Sequence, residues 1–176
     1  NGKLMLINKH RLRPMAESDL EQVLEWRNHP EVRRYMYSTH EIRMDEHCAW
    51  YASANKNPSV ELLIYEQGGK AQGFVNITRT RSAEVADWGF YLAPDAPKGS
   101  GRELGKQALN YAFAQLSLHK VCGQALGFNT RSIAFHKRLG FTEEGRLREQ
   151  HFDGVQFHDV VCFGLLSNEW QAPVED

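Results

Sequence analysis

Apolar residues recur along this chain with two periods, and the changes between them mark the elements. RLRPM (11–15) reads as an opening strand. Leu20, Val23 and Leu24 then fall on one helical face. Ser18 with Glu21 is the expected capping box of that helix, and Pro30 is expected to close it. A second helix is predicted from about Asp45 to Ala54. The period then shortens to two. VELLIY (60–65), a Gly68-Gly69 turn and AQGFVNIT (71–78) predict a hairpin, and EVADWGFYL (84–92) a third strand. Helical spacing returns over 102–116, with Leu104, Ala108, Tyr111 and Leu116 facing inward. VCGQAL (121–126) is the next strand. Asn129 or Thr130 caps a short helix whose apolar stripe is Ile133, His136 and Leu139, and Gly140 stops it. Residues 146–152 and 157–166 end the pattern as a hairpin about Asp153-Gly154.

This order predicts an α/β (α+β) domain: a mixed, mostly antiparallel, seven-stranded sheet flanked by about four helices, with one strand–helix–strand crossover. The 176 residues hold no repeat, low-complexity tract or linker, so they read as one domain. Residues 1–8 are set apart as a disordered or vector-derived start, because NGKL precedes Met5. The net charge of -1 exerts no global pull on nucleic acid, so any anion site must come from local charge. Cys48, Cys122 and Cys162 are too few and too scattered for a disulfide frame, which fits a reducing cytoplasm. No run approaches the ~18 apolar residues of a membrane span, and no signal-peptide pattern is visible.

The chemistry begins in the glycine-rich loop. KGSGRELGK (98–106) follows a strand and opens a helix, where free amides and the helix dipole attract anions. Lys98, Arg102 and Lys106 add charge. A Walker loop would need Gly at 100, where Ser100 stands, and Ser or Thr at 107, where Gln107 stands. A Rossmann loop fails too, because Gly99, Gly101 and Gly105 are one residue too far apart. A flexible connection is the plain alternative. A phosphate or pyrophosphate cradle of another kind is the preferred reading. His40, His47, His151 and His158 lack cysteine or acidic neighbours at ligating spacings, so no metal is expected.

The strand, glycine-rich loop, helix, strand, and then Asn129–Phe141 as N-x-x-[SA] followed by L-G-F resemble the GCN5-related N-acetyltransferases, which use acetyl-CoA. The family loop pattern [QR]-x-x-G-x-[GA] is met loosely by 98–103, with Lys98 first and Glu103 last; Gly105 offers an alternative last position. The likeness covers about residues 10–167. Residues 12–42 narrow it to the branch of ribosomal-protein N-terminal and sugar-nucleotide acetyltransferases. EWRNHPEVRRYMY, WGFYLAP, KGSGRELG and LHKVCGQALGFN bring it nearest to enzymes of pseudaminic acid biosynthesis, which acetylate a UDP-linked 4-amino-4,6-dideoxy sugar for flagellin glycosylation.

The resemblance implies an amine attacking a thioester directly, in the cytoplasm. It places the thioester and pantetheine on the backbone of Phe90, Tyr91 and Leu92, and the pyrophosphate on Lys98, Gly99, Ser100, Gly101, Arg102, Leu104 and Gly105. Asn129, Phe135 and Arg138 complete the donor site, with a helix cap and a solvated helix face as the plain readings of Asn129 and Arg138. A protonated amine is no nucleophile, so a base is needed. Strand alternation puts Asp87 with Gly89 and Tyr91 on one face, and Asp87 is the favoured base, acting through water, with Glu84 behind it. His136 occupies the position where relatives place a proton-donating tyrosine; it either protonates the leaving thiolate or packs as a core histidine. For the acceptor, Arg27 and Asn28 suit a diphosphate, while Tyr37, His47 and Trp50 offer polar and stacking surfaces or ordinary core. The expected partners are acetyl-CoA and a UDP-amino sugar, without nucleic acid or membrane, and with a homodimer as the one protein assembly entertained. The rival functions are an Nα-acetyltransferase for protein termini and a CoA-binding sensor without catalysis.

Overall fold

Alternation in the central strands feeds two separate apolar layers. The computed structural model describes residues 9–171. In β2 (Val60–Gln67) and β3 (Lys70–Arg79), Leu63, Tyr65, Val75 and Ile77 enter one layer, while Leu62, Ile64 and Phe74 enter the other. Both faces are therefore covered. The first layer lies under α4 (Ser100–Asn110) and α5 (Thr130–Arg138), through Leu104, Ala108, Ile133 and Phe135. The second lies under α1 (Leu20–Asn28) and α3 (Met44–Lys56), through Val23, Trp26 and Tyr51.

With β1 (His10–Pro14), β4 (Val85–Leu92), β5 (Lys120–Leu126), β6 (Thr142–Phe152) and β7 (Phe157–Leu166), the sheet has seven strands in the order β1-β2-β3-β4-β5-β7-β6. Every pairing is antiparallel except β4–β5, which α4 connects as a parallel crossover. That exception makes the site. β4 pairs with β5 only at Val85–Lys120, Ala86–Val121 and Asp87–Cys122, after which the strands part. Beyond Asp87 the edge of β4 facing β5 has no ladder partner, so its backbone groups face open space.

Several expectations move. The first helix starts at a 3₁₀ turn, Glu17–Asp19, and Ser18 does not cap it. Asp19 instead fixes the turn from within: its carboxylate reaches back to accept the Ala16 N–H at 2.8 Å, and it accepts from the two terminal Arg13 guanidinium nitrogens at 2.7 and 2.8 Å. Arg13 holds that carboxyl below its usual range. Pro30 closes the first helix as expected, at Asn28 with His29 as its C-cap, and also opens a further short helix, α2 (Pro30–Arg33), because its missing N–H and fixed φ suit a first helical position. The described residues thus form five α-helices, and α4 runs on into a π turn at Tyr111–Gln115. β6 begins at Thr142 rather than 146, and as an edge strand exposed on most of its length it carries no alternation to read. Cys48, Cys122 and Cys162 are unpaired. The expected start at 1–8 lies outside the described residues. No helix among the described residues is long and apolar enough to cross a membrane.

Candidate active site

The parting of β4 from β5 opens a cleft of about 1600 Å³ that reaches both faces of the sheet. On the α4 and α5 side its wall is built from helix starts. Gly99 has φ +90°, a left-handed turn that only glycine takes cheaply, and it launches α4. The Ser100 amide turns back to the Pro97 carbonyl at 3.0 Å. The first-turn amides of Gly101 and Arg102 have no carbonyl ahead of them and face the cleft. Ser100 is buried, and its hydroxyl has no hydrogen-bond partner among the described residues. Lys98, Arg102, Arg131 and Arg138 surround this end with positive charge. Amides, a stranded hydroxyl and four cations together fit a polyphosphate.

Gly105 does other work. A Cβ there would stand 2.9 Å from Leu139 Cδ1 and 3.1 Å from Phe135 Cζ, so its bareness lets α4 lie against α5. Gly105 and the fully buried Leu104 pack the core and do not line the cleft, correcting their expected place in the anion loop. Gly105→Val should lower stability by about 1–3 kcal/mol through overpacking. Thermal unfolding checks this, and an unchanged melting temperature would refute the close-approach reading. Asn129 lines the cleft as the cap of α5, its Oδ1 accepting the Ser132 N–H at 3.1 Å. Phe135 lines it beside Phe90, ring centroids 5.0 Å apart.

His136 is 1% exposed, and both ring nitrogens are engaged. Nδ1–H donates to the Ser132 carbonyl at 2.8 Å. Nε2 accepts the Trp88 indole N–H at 3.1 Å. Because a carbonyl only accepts and an indole only donates, the ring is fixed as the neutral Nδ1–H tautomer. It stacks on Phe163 at 4.9 Å and 6°, and burial pushes its pKa below the usual imidazole value. No N–H remains for a thiolate, so the expected proton donor does not fit this ring. Gly123 is bare for the same reason: a Cβ there would meet His136 Nε2 at 2.5 Å and Trp88 Nε1 at 2.7 Å.

The other mouth of the cleft faces α1 and α3. Asp87 opens into it, and partial desolvation pushes its carboxyl above the ordinary carboxylate range. Glu84 does not join it. Glu84 lies in the turn before β4, where its carbonyl accepts the His119 and Lys120 amides, and it does not line the cleft. The Arg27 guanidinium gives Nη2–H to the Ser38 carbonyl at 2.8 Å, while Nη1 is buried with no partner among the described residues. Burial pulls its pKa down. His47 is 4% exposed, stacks on Trp50 at 5.3 Å, and leaves Nε2 buried without a partner among the described residues. Tyr37 donates to Gln124 Oε1 at 2.8 Å and so ties the 29–43 segment to β5. Asn28 is a clasp: it bonds both the N–H and the carbonyl of Ile42 at 2.8 Å and does not line the cleft. Sequence reasoning missed Asn76, Thr78, Gln124 and Arg131, all of which line it. For Asn76 and Thr78 the signal was polar residues alternating with core residues on a central strand, legible only once the pairing of β3 with β4 is known; Gln124 lies on β5 and Arg131 on α5.

Among the described residues no group of His, Cys, Asp and Glu is placed to hold a metal ion. The profile of the family described as Acetyltransferase (GNAT) domain matches residues 9–142. Acetyltransferase PseH of Campylobacter jejuni (strain 81-176) is 28% identical over 73% of this chain and 80% of its own. Spermidine N(1)-acetyltransferase of Escherichia coli (strain K12) is 24% identical over 92% of this chain and 88% of its own. Among solved structures, spermidine N-acetyltransferase from Vibrio cholerae, in complex with CoA and spermine, superposes with a TM-score of 0.84 at 24% identity, over 91% of this chain and 96% of that one.

Proposed function

We propose an acceptor for a chain that belongs to the GNAT acetyltransferase family: the primary amine of a UDP-linked 4-amino-4,6-dideoxy sugar. The enzyme is an acetyl-CoA-dependent N-acetyltransferase. Its donor end is the amide and cation wall at Gly99, Ser100, Gly101 and Arg102, with the free edge of β4 at Phe90, Tyr91 and Leu92 for the thioester arm. Acetyl-CoA, when bound, supplies the activated acetyl group. Asp87 takes one proton from the acceptor ammonium through water. The C–N bond then forms and the C–S bond breaks. The nitrogen loses its second proton as the thiolate gains one.

The observation that carries the acceptor assignment is Arg27. A half-buried guanidinium whose Nη1 is buried without a partner among the described residues suits an anionic acceptor. The exposed indole of Trp50, stacked on His47, offers a base or sugar a flat surface. A polyamine, which carries only positive charge, would be repelled by the same arginine. PseH and the spermidine N(1)-acetyltransferase resemble the chain to similar degrees, and Glu31, Glu46 and Asp87 line the cleft as well, so the choice of the sugar nucleotide rests on the unpartnered Arg27 nitrogen. A basic protein N-terminus meets the same repulsion.

The test is an acetyl-transfer assay offering a UDP-4-amino sugar, spermidine and a basic N-terminal peptide in parallel. Turnover of spermidine or peptide without the sugar nucleotide would overturn the assignment. Arg27→Ala should raise the KM for the sugar nucleotide about 10- to 100-fold, the loss expected of one charge-assisted phosphate contact, while the KM for acetyl-CoA stays within about 2-fold. Equal losses toward both substrates would instead mark a general collapse of the cleft.

A further inference from the structure

Gly89 is bare on the acceptor face of β4, between Asp87 and Tyr91. A Cβ built there would stand 2.5 Å from Asn76 Oδ1 and 3.4 Å from its Cγ. Asn76 lies opposite Gly89 on β3, and the next pair on the same face joins Thr78 with Asp87, two rungs away. The absence of a side chain at 89 thus lets the Asn76 amide lie across β4. It lies there two rungs beyond Asp87, past the Asp87–Cys122 pair where the strands part. Asn76 and Gly89 both line the cleft, and no described residue hydrogen-bonds the Asn76 side chain. A half-buried amide resting on a strand without a protein partner has hydrogen-bonding capacity to offer to whatever enters.

We propose that Asn76 positions the acceptor amine: its Oδ1 accepts one N–H of the attacking nitrogen and so turns the nitrogen lone pair toward the thioester carbonyl on the free edge of β4. The amine has hydrogens enough for this. Its ammonium form gives one proton toward Asp87, keeps one on Asn76, and presents the freed lone pair to carbon. A single contact to Asp87 would leave the amine free to rotate, whereas two contacts on one face fix its direction of approach. Gly89 is then a residue of the mechanism through what it lacks. The inference rests on the acetyl-transfer reading of the cleft and is independent of which amine is the natural acceptor.

Hydroxylamine at high concentration, beside the UDP-4-amino sugar, separates the two questions. Hydroxylamine reports the contact to the attacking nitrogen alone; the sugar nucleotide reports the acceptor assignment as well. Asn76→Ala should lower kcat/KM for either amine about 10- to 100-fold with the KM for acetyl-CoA within about 2-fold of the parent. Gly89→Ala, whose methyl would stand 2.5 Å from the Asn76 amide oxygen and force it aside, should reproduce that loss. The double variant should be no worse than either single one, because both remove the same contact. Multiplying losses in the double variant, or parental hydroxylamine kinetics in Asn76→Ala, would overturn the proposal. Hydroxylamine turnover with these effects but no sugar turnover would leave Asn76 in place and remove the sugar from the acceptor assignment.

Discussion

Asp87→Asn is expected to lower acetyl transfer by about 10²- to 10⁴-fold, the range over which a positioned general base contributes. Its carboxyl sits where the strands part, and desolvation has already raised its proton affinity above that of an ordinary carboxylate. A base must be ionised to act, so in the parent the rate should rise with pH through this elevated pKa. The asparagine variant loses that limb, and its remaining pH dependence follows the acceptor amine alone. The same shift fixes the sign of the stability effect. A carboxyl whose folded pKa lies above its unfolded value, near ~3.9, favours the fold at low pH. That contribution is lost as pH rises through the folded pKa. At neutral pH the ionised Asp87 therefore opposes folding, and Asp87→Asn should melt at the parent's temperature or slightly above it. Lower activity with undiminished stability is what separates a base from a structural carboxylate. A variant with parental turnover would remove Asp87 from the chemistry.

How far the chain could be read depends on where each signal comes from. The seven strands and their order along the chain follow from periodicity, because β2 and β3 are core strands bounded by clear turns. The start of β6 was hidden, since a strand with little buried on either face has no reason to alternate. Pro30 closes the first helix as its position implies, but the short helix it also opens was hidden, because only the His29 side chain, accepting the Glu31 N–H at 3.2 Å, marks that second start. The Asp19 turn depends on Arg13, a partner on another element, so no local spacing announces it.

The site divides the same way. The anion loop was legible as glycines before a helix, yet Gly99 and Gly105 mean different things. One adopts a left-handed turn and the other makes room for Leu139, and sequence shows only two glycines. Asn28 looked like a ligand beside Arg27, but its amide is consumed by the Ile42 backbone. Asn76 drew no notice within its hairpin strand, and becomes a cleft residue only because β4 runs beside it with Gly89 in register. Spacing reports which face a side chain takes. It does not report whether the polar group there is already satisfied.

His136 shows what that last distinction is worth. His136→Ala is expected to destabilise the protein by about 3–5 kcal/mol, as removal of a fully buried ring does. Part of this is the Trp88 N–H, left without its acceptor. His136→Phe keeps the ring volume and the stack on Phe163, loses both hydrogen bonds, and should cost about 1–3 kcal/mol. The pH dependence follows from the direction of the shift. Burial lowers the folded pKa of this imidazole, so the unfolded chain, titrating near ~6.5, takes up its proton first as pH falls. The stabilisation is complete above that value and declines as pH falls from there toward the folded pKa. His136→Phe should abolish this part of the acid decline in melting temperature. Its kcat per folded molecule should stay within about 3-fold of the parent, with the same pH–rate profile. A proton donor would behave oppositely, losing turnover along the imidazole titration at little cost in stability. The neutral Nδ1–H tautomer, locked between Ser132 and Trp88, predicts the first outcome: a histidine that holds α5 against the parted strands and leaves protonation of the thiolate to other groups.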